Sequence, residues 1–206
     1  MSNTTPTVFL VDDEAPVRRA VSRLLRAENF TVDAYASSEE FLKEADFKSP
    51  GCLLLDMAMP GLSGLDLQRE LAARDCHLPV IFLTGRADVP MTVKAMKHGA
   101  ADFLTKPVED AALLTAIRNA IEKDRIERKR RLETADLRAC LATLTPRERE
   151  VLDQIVLGRL NKQVAADLGA AEKTIKVHRA RVMEKMQVGS IAELARLIER
   201  LGPDGK

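Results

Sequence analysis

Short apolar runs alternate with amphipathic stretches through the first part of the chain. Val8-Phe9-Leu10-Val11 and Cys52-Leu53-Leu54-Leu55 are continuous in hydrophobicity, the pattern of strands buried on both faces. Strands are predicted over residues 7–11, 30–35, 51–55, 79–83 and 102–105, with helices near 15–27, 38–45, 63–73, 89–98 and from 109 onward. That order is (βα)5. It implies a parallel sheet covered on both faces, and such sheets bind ligands beyond the carboxyl ends of their strands.

From residue 109 to about 142 the pattern becomes a charged helix. Leu113, Ile117 and Ile121 share one face, which predicts packing on the first domain, and the run from Glu122 to Arg131 reads as a solvated linker. A second, all-helical pattern follows. Thr145 is placed as an N-cap, with Pro146 at the first helical position and Glu148 completing a capping box. Helices are predicted at about 146–157, 161–168, 172–186 and 190–200, separated by Gly158, Gly169 and Val188-Gly189-Ser190. Residues 161–169 followed by 173–179 read as helix, tight turn, helix. The domains are therefore placed at residues 1–124 and 142–206, joined by a helical linker at 125–141.

Composition narrows the functional classes. The 206 residues carry a net charge of +1, but residues 1–124 hold 14 Lys and Arg against 19 Asp and Glu, a net −5, and residues 125–206 hold 18 against 12, a net +6. The second part suits a polyanion. One Tyr and no Trp leave it without the aromatic platforms of single-strand binders, so duplex DNA is expected. No apolar run reaches the roughly 20 residues of a membrane span, and the first residues lack the basic and apolar regions of a signal peptide. A cytoplasmic location without membrane association is expected. Cys52, Cys76 and Cys140 form neither a CxxC nor an even set and are read as packing residues.

The chemistry-bearing residues sit at strand ends. Asp12-Asp13 follow the first strand, Asp56 the third, Thr84-Gly85 the fourth and Lys106-Pro107 the fifth. Each has a plain reading alone: Asp12 or Asp13 as a helix cap, Thr84 as a strand-end threonine, Lys106 as a solvated lysine. Placed together on one rim they predict an acidic pocket suited to a hard divalent cation with oxygen ligands. The ordered set resembles the receiver domain of two-component response regulators over roughly residues 7–125, a flavodoxin-like (βα)5 fold. The resemblance implies Mg²⁺ held by Asp13, Asp56 and the backbone carbonyl of Ala58, with Asp12 helping directly or through water. Asp56 would be the phosphoacceptor. Lys106 and Thr84 would contact the phosphoryl group, and Thr84 and Phe103 would form the switch, with a permanently buried Phe103 as the alternative. The same resemblance implies a cis Lys106-Pro107 bond and a pairing face that includes Val89, Val93, Met96 and Lys97.

Residues 142–202 resemble the LuxR-type helix-turn-helix, with Glu148, Gly158, Ala165, Thr174, Val177, His178 and Met186 matching its pattern. Receiver plus this module resembles the NarL/FixJ class, nearest its FixJ branch. Lys176, Val177 and Ala180 are then expected to face base edges, and Lys162, Lys173, Thr174, Arg179 and Arg181 to contact phosphates. Ala180 allows only an apolar touch where some relatives carry a basic residue. His178 is open between a DNA contact and a structural hydrogen bond. The implied function is a DNA-binding transcriptional regulator, an activator by analogy with FixJ. Its implied partners are a sensor histidine kinase, promoter DNA, RNA polymerase and, on phosphorylation, a second copy. It is expected to be no enzyme beyond slow autodephosphorylation. The alternatives are a phosphorylation-independent DNA-binding regulator and an Asp-nucleophile phosphatase of the haloacid-dehalogenase type. The latter needs an Asp two positions after the nucleophile, where this chain has Ala58.

Overall fold

The computed structural model describes residues 5–85, 93 and 95–201. It divides into two compact units, Met1–Arg128 and Lys129–Lys206.

The first unit is built on five parallel strands: β1 (Thr7–Val11), β2 (Thr31–Tyr35), β3 (Gly51–Asp56), β4 (Val80–Thr84) and β5 (Asp102–Thr105). Their order is β2-β1-β3-β4-β5, so the topological switch lies beside β1 and β3. The fourth strand runs one residue later than residues 79–83. Pro79 has no N–H for the ladder, and its carbonyl accepts from Leu53 N at 2.9 Å, while Thr84 pairs with Thr105. Successive side chains point to opposite faces, and β1, β3 and β4 are buried on both, whereas the edge strand β2 exposes Thr31, Asp33 and Ala34. Phe9, Val11, Leu53, Leu55 and Phe82 join one core with Leu67 and Leu71 of α3 (Gly64–Ala73) and Phe41 of α2 (Ser38–Glu44). Val8, Leu10, Cys52, Leu54, Ile81 and Leu83 join the other, with Leu25 of α1 (Ala15–Ala27). Leu113, Ala116, Ile117 and Ala120 of α4 (Asp110–Ala142) complete that second layer, with Ile121 packed at its margin, as the sequence pattern requires.

The helix expected over residues 89–98 lies partly outside the described residues, Val89 among them. Within it residues 93 and 95–97 are helical, with Ala95 buried and Val93, Met96 and Lys97 exposed.

The unit boundary falls inside the stretch read as the linker, for a physical reason. Arg128 is tied to the first unit through Asp124 Oδ2 at 2.6 Å and the carbonyls of Lys48 and Ser49, both at 2.8 Å. Leu137 and Leu141 are instead part of the second unit's core. That unit continues with α5 (Pro146–Ile155), α6 (Asn161–Asp167), α7 (Glu172–Lys185) and α8 (Ile191–Arg200). The capping box is formed: Thr145 Oγ1 accepts from Glu148 N at 3.3 Å, and Glu148 Oε2 accepts from Thr145 N at 2.9 Å. Val151, Ile155, Val164, Ile175, Val182 and Leu194 are fully buried at the centre of these helices. Cys52 is buried, Cys76 and Cys140 pack against the cores, and none of the three is in a disulfide. Burial pushes the Cys52 thiol up to about 12, with Asp124 adding to the rise, so it stays protonated and unreactive.

Candidate phosphoacceptor pocket and nucleic-acid interface

The carboxyl ends of β1, β3 and β5 bring three acids and one lysine together. Asp12 is fully buried, Asp56 is 4% exposed and Asp13 is open to solvent. One carboxylate oxygen from each of the three lies within 4.8 Å of the others. Lys106 Nζ reaches into the group, 2.7 Å from Asp12 Oδ2, 3.3 Å from Asp56 Oδ2 and 3.7 Å from Glu14 Oε1. Asp12 Oδ1 accepts from Glu14 N at 2.8 Å, a local turn and not the helix cap that the sequence offered for Asp12 or Asp13, because the N-cap of α1 is Glu14 and no side chain caps it.

Burial raises the Asp56 carboxyl above the ordinary range. Lys106 works against that rise and Asp12 adds to it. Burial also opposes the charge on Lys106, but Asp12 and Asp56 together outweigh it and raise its pKa. The pocket is thus one ammonium shared between two buried carboxylates, with Asp13 beside them. Such oxygen-rich, over-acidic crowding fits a hard divalent cation.

The supporting residues came less readily from sequence. Arg18 Nη1 donates to the carbonyls of Asp12 at 2.6 Å and Asp13 at 3.0 Å, pinning the acidic loop to α1. Glu39 Oε1 of α2 accepts from Leu62 N at 3.1 Å and so holds the loop after Asp56. Its own backbone N–H, followed by that of Leu62, keeps the Glu39 carboxyl below its usual range. Gly64 has a backbone reason: a Cβ there would lie 2.5 Å from the Asp56 carbonyl oxygen. The repeated glycines of Gly61-Leu62-Ser63-Gly64 were a readable signal for a tight return, whereas an arginine inside a helix carries no mark of a loop partner.

Ala58 lies two residues beyond Asp56, and its N–H is 3.5 Å from Asp56 Oδ1. Thr84 ends β4 at 4% exposure, and its carbonyl accepts from Lys106 N at 2.6 Å, which locks the two strand ends together. Phe103 is half-buried, its ring centroid 6.4 Å from that of Phe82. The Lys106-Pro107 peptide is cis.

In the second unit α7 buries Ile175 and Val182 and turns its polar side outward. Lys173, Thr174, Lys176, Val177, Ala180 and Arg181 are exposed, as is Lys162 on α6. Their shared exposure forms a cationic face with a small apolar centre at Val177 and Ala180. Arg179 is half-buried and donates to Asn161 Oδ1 at 3.1 Å, fastening α6 to α7. His178 is also half-buried, and its Nδ1 is buried without a hydrogen-bond partner among the described residues. Behind this face Lys185 Nζ joins Glu148 Oε2 at 2.6 Å and the Thr143 carbonyl at 2.9 Å.

Comparison with known proteins agrees with both halves. Residues 8–118 match the response regulator receiver domain, and residues 142–198 match the luxR family of bacterial regulatory proteins. The chain is 46% identical over 201 residues to Nodulation protein W of Bradyrhizobium diazoefficiens, covering 98% of this chain and 88% of that protein. It is 42% identical over 191 residues to the transcriptional regulatory protein FixJ of Rhizobium meliloti, covering 93% and 94%. Among solved structures, response regulator StyR aligns with a TM-score of 0.86 at 43% identity, over 95% of this chain and 99% of that one. The paired receiver and LuxR-type domains, on a fold shared with these regulators, show that the chain belongs to the NarL/FixJ family of two-component, DNA-binding transcriptional response regulators, on its FixJ branch.

Proposed function

We propose that Asp56 accepts a phosphoryl group from the phosphohistidine of a sensor kinase, and that the modified receiver pairs with a second copy to place two helix-turn-helix modules on promoter DNA. The observation that carries this reading is Lys106 Nζ set between the buried carboxylates of Asp12 and Asp56 at the sheet's switch point. Receiver domains typically bind Mg²⁺ at such an acidic pocket. Here Asp12, Asp13, Asp56 and the Ala58 carbonyl are the residues that would hold it, and the bound ion would neutralise charge on the phosphoryl oxygens.

Asp56 Oδ attacks the phosphorus as the P–N bond to the kinase imidazole breaks, and the released imidazole takes up a proton. The product is an acyl phosphate on Asp56. Lys106 stabilises the charge gathering on the equatorial oxygens, and the Thr84 hydroxyl donates to one of them. Ala58 supplies no general base near the acyl phosphate, which leaves only slow autodephosphorylation. The added −1.5 to −2 charges, a typical value for a phosphoryl group, draw Thr84 inward. Phe103, already half-buried against Phe82, follows into the space vacated and alters the face that carries Val93 and Met96.

On DNA, α7 enters the major groove with Lys176, Val177 and Ala180 toward base edges. Lys162, Lys173, Thr174, Arg179 and Arg181 hold phosphates, and His178 supports the helix from its half-buried position. Promoter binding recruits RNA polymerase, so the regulated genes are turned up. This last assignment rests on the FixJ branch. Among the described residues no helix is long and apolar enough to cross a membrane.

Light-scattering mass in Mg²⁺, with and without beryllofluoride, tests the switch. A monomer-to-dimer shift in wild type that is absent in Asp56→Asn is expected. Identical mass in all four conditions would overturn the coupling of Asp56 to assembly.

A further inference from the structure

The Ala58 carbonyl is the one main-chain atom among the groups assigned to Mg²⁺, and it belongs to the loop that joins Asp56 to α3. The ends of that loop are fixed by the backbone. Met57 N donates to the Leu83 carbonyl at 2.9 Å, and Gly64 N donates to the Met57 carbonyl at 3.3 Å. Between them, no residue from Ala58 to Leu62 makes a backbone–backbone hydrogen bond among the described residues. Pro60 has no N–H to offer, and Ala58 N is a long 3.5 Å from Asp56 Oδ1. Met59 is buried, but a methionine side chain is flexible and does not fix the peptide planes beside it.

The remaining tie comes from another helix. Leu62 N donates to Glu39 Oε1 at 3.1 Å, across 23 positions of sequence. Gly61 brings the turn against the same oxygen. Its φ is +76°, and a Cβ there would lie 2.8 Å from Glu39 Oε1.

The two acids in the first turn of α2 do different work. Glu40 serves its own helix: its N–H donates to Ser37 Oγ at 3.2 Å, and its Oε2 accepts from Ala36 N at 2.5 Å. Glu39 instead reaches the loop. Its own N–H and the Ser37 hydroxyl also donate to it, which steadies an exposed carboxylate in the direction of Leu62.

We propose that Glu39 is a positioning residue for the phosphoacceptor pocket: through the Leu62 N–H it holds the loop so that the Ala58 carbonyl is in place for the metal. Mg²⁺ demands near-ideal octahedral geometry, so a carbonyl on an untethered loop costs affinity. The inference rests on the metal reading of Asp13, Asp56 and Ala58, and it adds a residue that touches neither the ion nor the phosphoryl group.

The test is titration of the full chain with magnesium chloride, without phosphodonor, followed by amide NMR. Glu39→Ala should raise the Mg²⁺ Kd about fivefold, less than the roughly 10–100-fold typical of a group bonded directly to a ligand, because Glu39 acts through intervening chain. Glu39→Gln loses the charge but keeps an acceptor oxygen, and should stay within about twofold of wild type. Glu39→Asp keeps the charge but is one methylene short, and should behave as Glu39→Ala. Amide exchange at Leu62 should quicken in the Ala and Asp variants while that at Leu53, inside β3, stays unchanged, a pattern that general destabilisation would not produce. Wild-type affinity in Glu39→Ala and Glu39→Asp would overturn the positioning role, as would equal weakening in Glu39→Gln, which would assign the effect to charge. Asp13→Asn separates the two levels. It should lose most Mg²⁺ binding, and if it binds as wild type does, the metal reading falls and this inference with it.

Discussion

Lys106 Nζ lies 3.3 Å from Asp56 Oδ2, and the same ammonium is 2.7 Å from the fully buried Asp12. Asp56 is therefore a desolvated acid whose charge is tolerated through a lysine it shares. Asp56→Asn removes one of two crowded carboxylates and should stabilise the receiver by about 1 kcal/mol in magnesium-free buffer, on the scale of relieving a strained buried charge. It should also abolish phosphorylation. Lys106→Ala should retain modification but uncouple it from DNA binding. Urea titration, with kinase labelling and DNA binding on the same preparations, checks both.

The approach of Gly64 to the Asp56 carbonyl predicts a backbone effect at a distance from any charge. A methyl group placed 2.5 Å from that oxygen must displace the loop after β3. Gly64→Ala should destabilise the receiver by about 1–3 kcal/mol, the usual cost of overpacking, and slow phosphorylation. Ser63→Ala, which removes the helix cap on Asp66 N together with the hydroxyl's donation to Asp66 Oδ2 at 2.6 Å, should cost about 1 kcal/mol and leave the phosphorylation rate near wild type.

Glu148 predicts a pH dependence in the second unit. Its hydrogen bond from Lys185, supported by the Thr145 N–H, depresses the carboxyl to about 2. A depressed carboxylate contributes stability that is complete above its unfolded pKa of about 4.3 and is lost as pH falls through the folded value. Wild type should therefore lose stability between about pH 4.5 and pH 2, and Glu148→Gln should flatten that part of the profile. Amide NMR signals of Val151 and Leu152, followed through an acid titration, report on this unit alone.

Asp124 is 1% exposed and accepts from Gly51 N at 2.9 Å and Arg128 Nε at 2.6 Å. Its other oxygen, Oδ1, is buried without a hydrogen-bond partner among the described residues, so the carboxylate depends on these two donors. Asp124→Ala strands the buried Gly51 N–H and leaves Arg128 held only by the Lys48 and Ser49 carbonyls, and should destabilise the receiver by about 3 kcal/mol. Arg128→Ala should have a comparable effect because it leaves Asp124 buried with one donor. A double-mutant cycle in urea measures the coupling.

The exposed cations around α7 predict two classes of DNA defect. Lys173→Ala should weaken binding across all sequences and lower the slope of log affinity against log salt by about 1, the signature of one lost phosphate contact. Val177→Ala should leave the slope unchanged and alter base preference. Fluorescence anisotropy at several salt concentrations, on matched and scrambled duplexes, separates them.

The sequence by itself determined the features that depend on neighbours along the chain. Continuous apolar runs marked the sheet, acids and Lys106 stood at the ends of those runs, and Thr145-Pro146-Arg147-Glu148 announced its own helix start. These are legible because strand period, helix period and end-capping are local geometry. Tertiary structure decided which ends meet and what holds them. Arg18 gripping the carbonyls of Asp12 and Asp13, Glu39 holding Leu62, and Asp124 reaching Gly51 across 73 positions depend on packed elements closing the distance. A side chain's partner across the fold is set by the strand order β2-β1-β3-β4-β5, and no local period encodes that order.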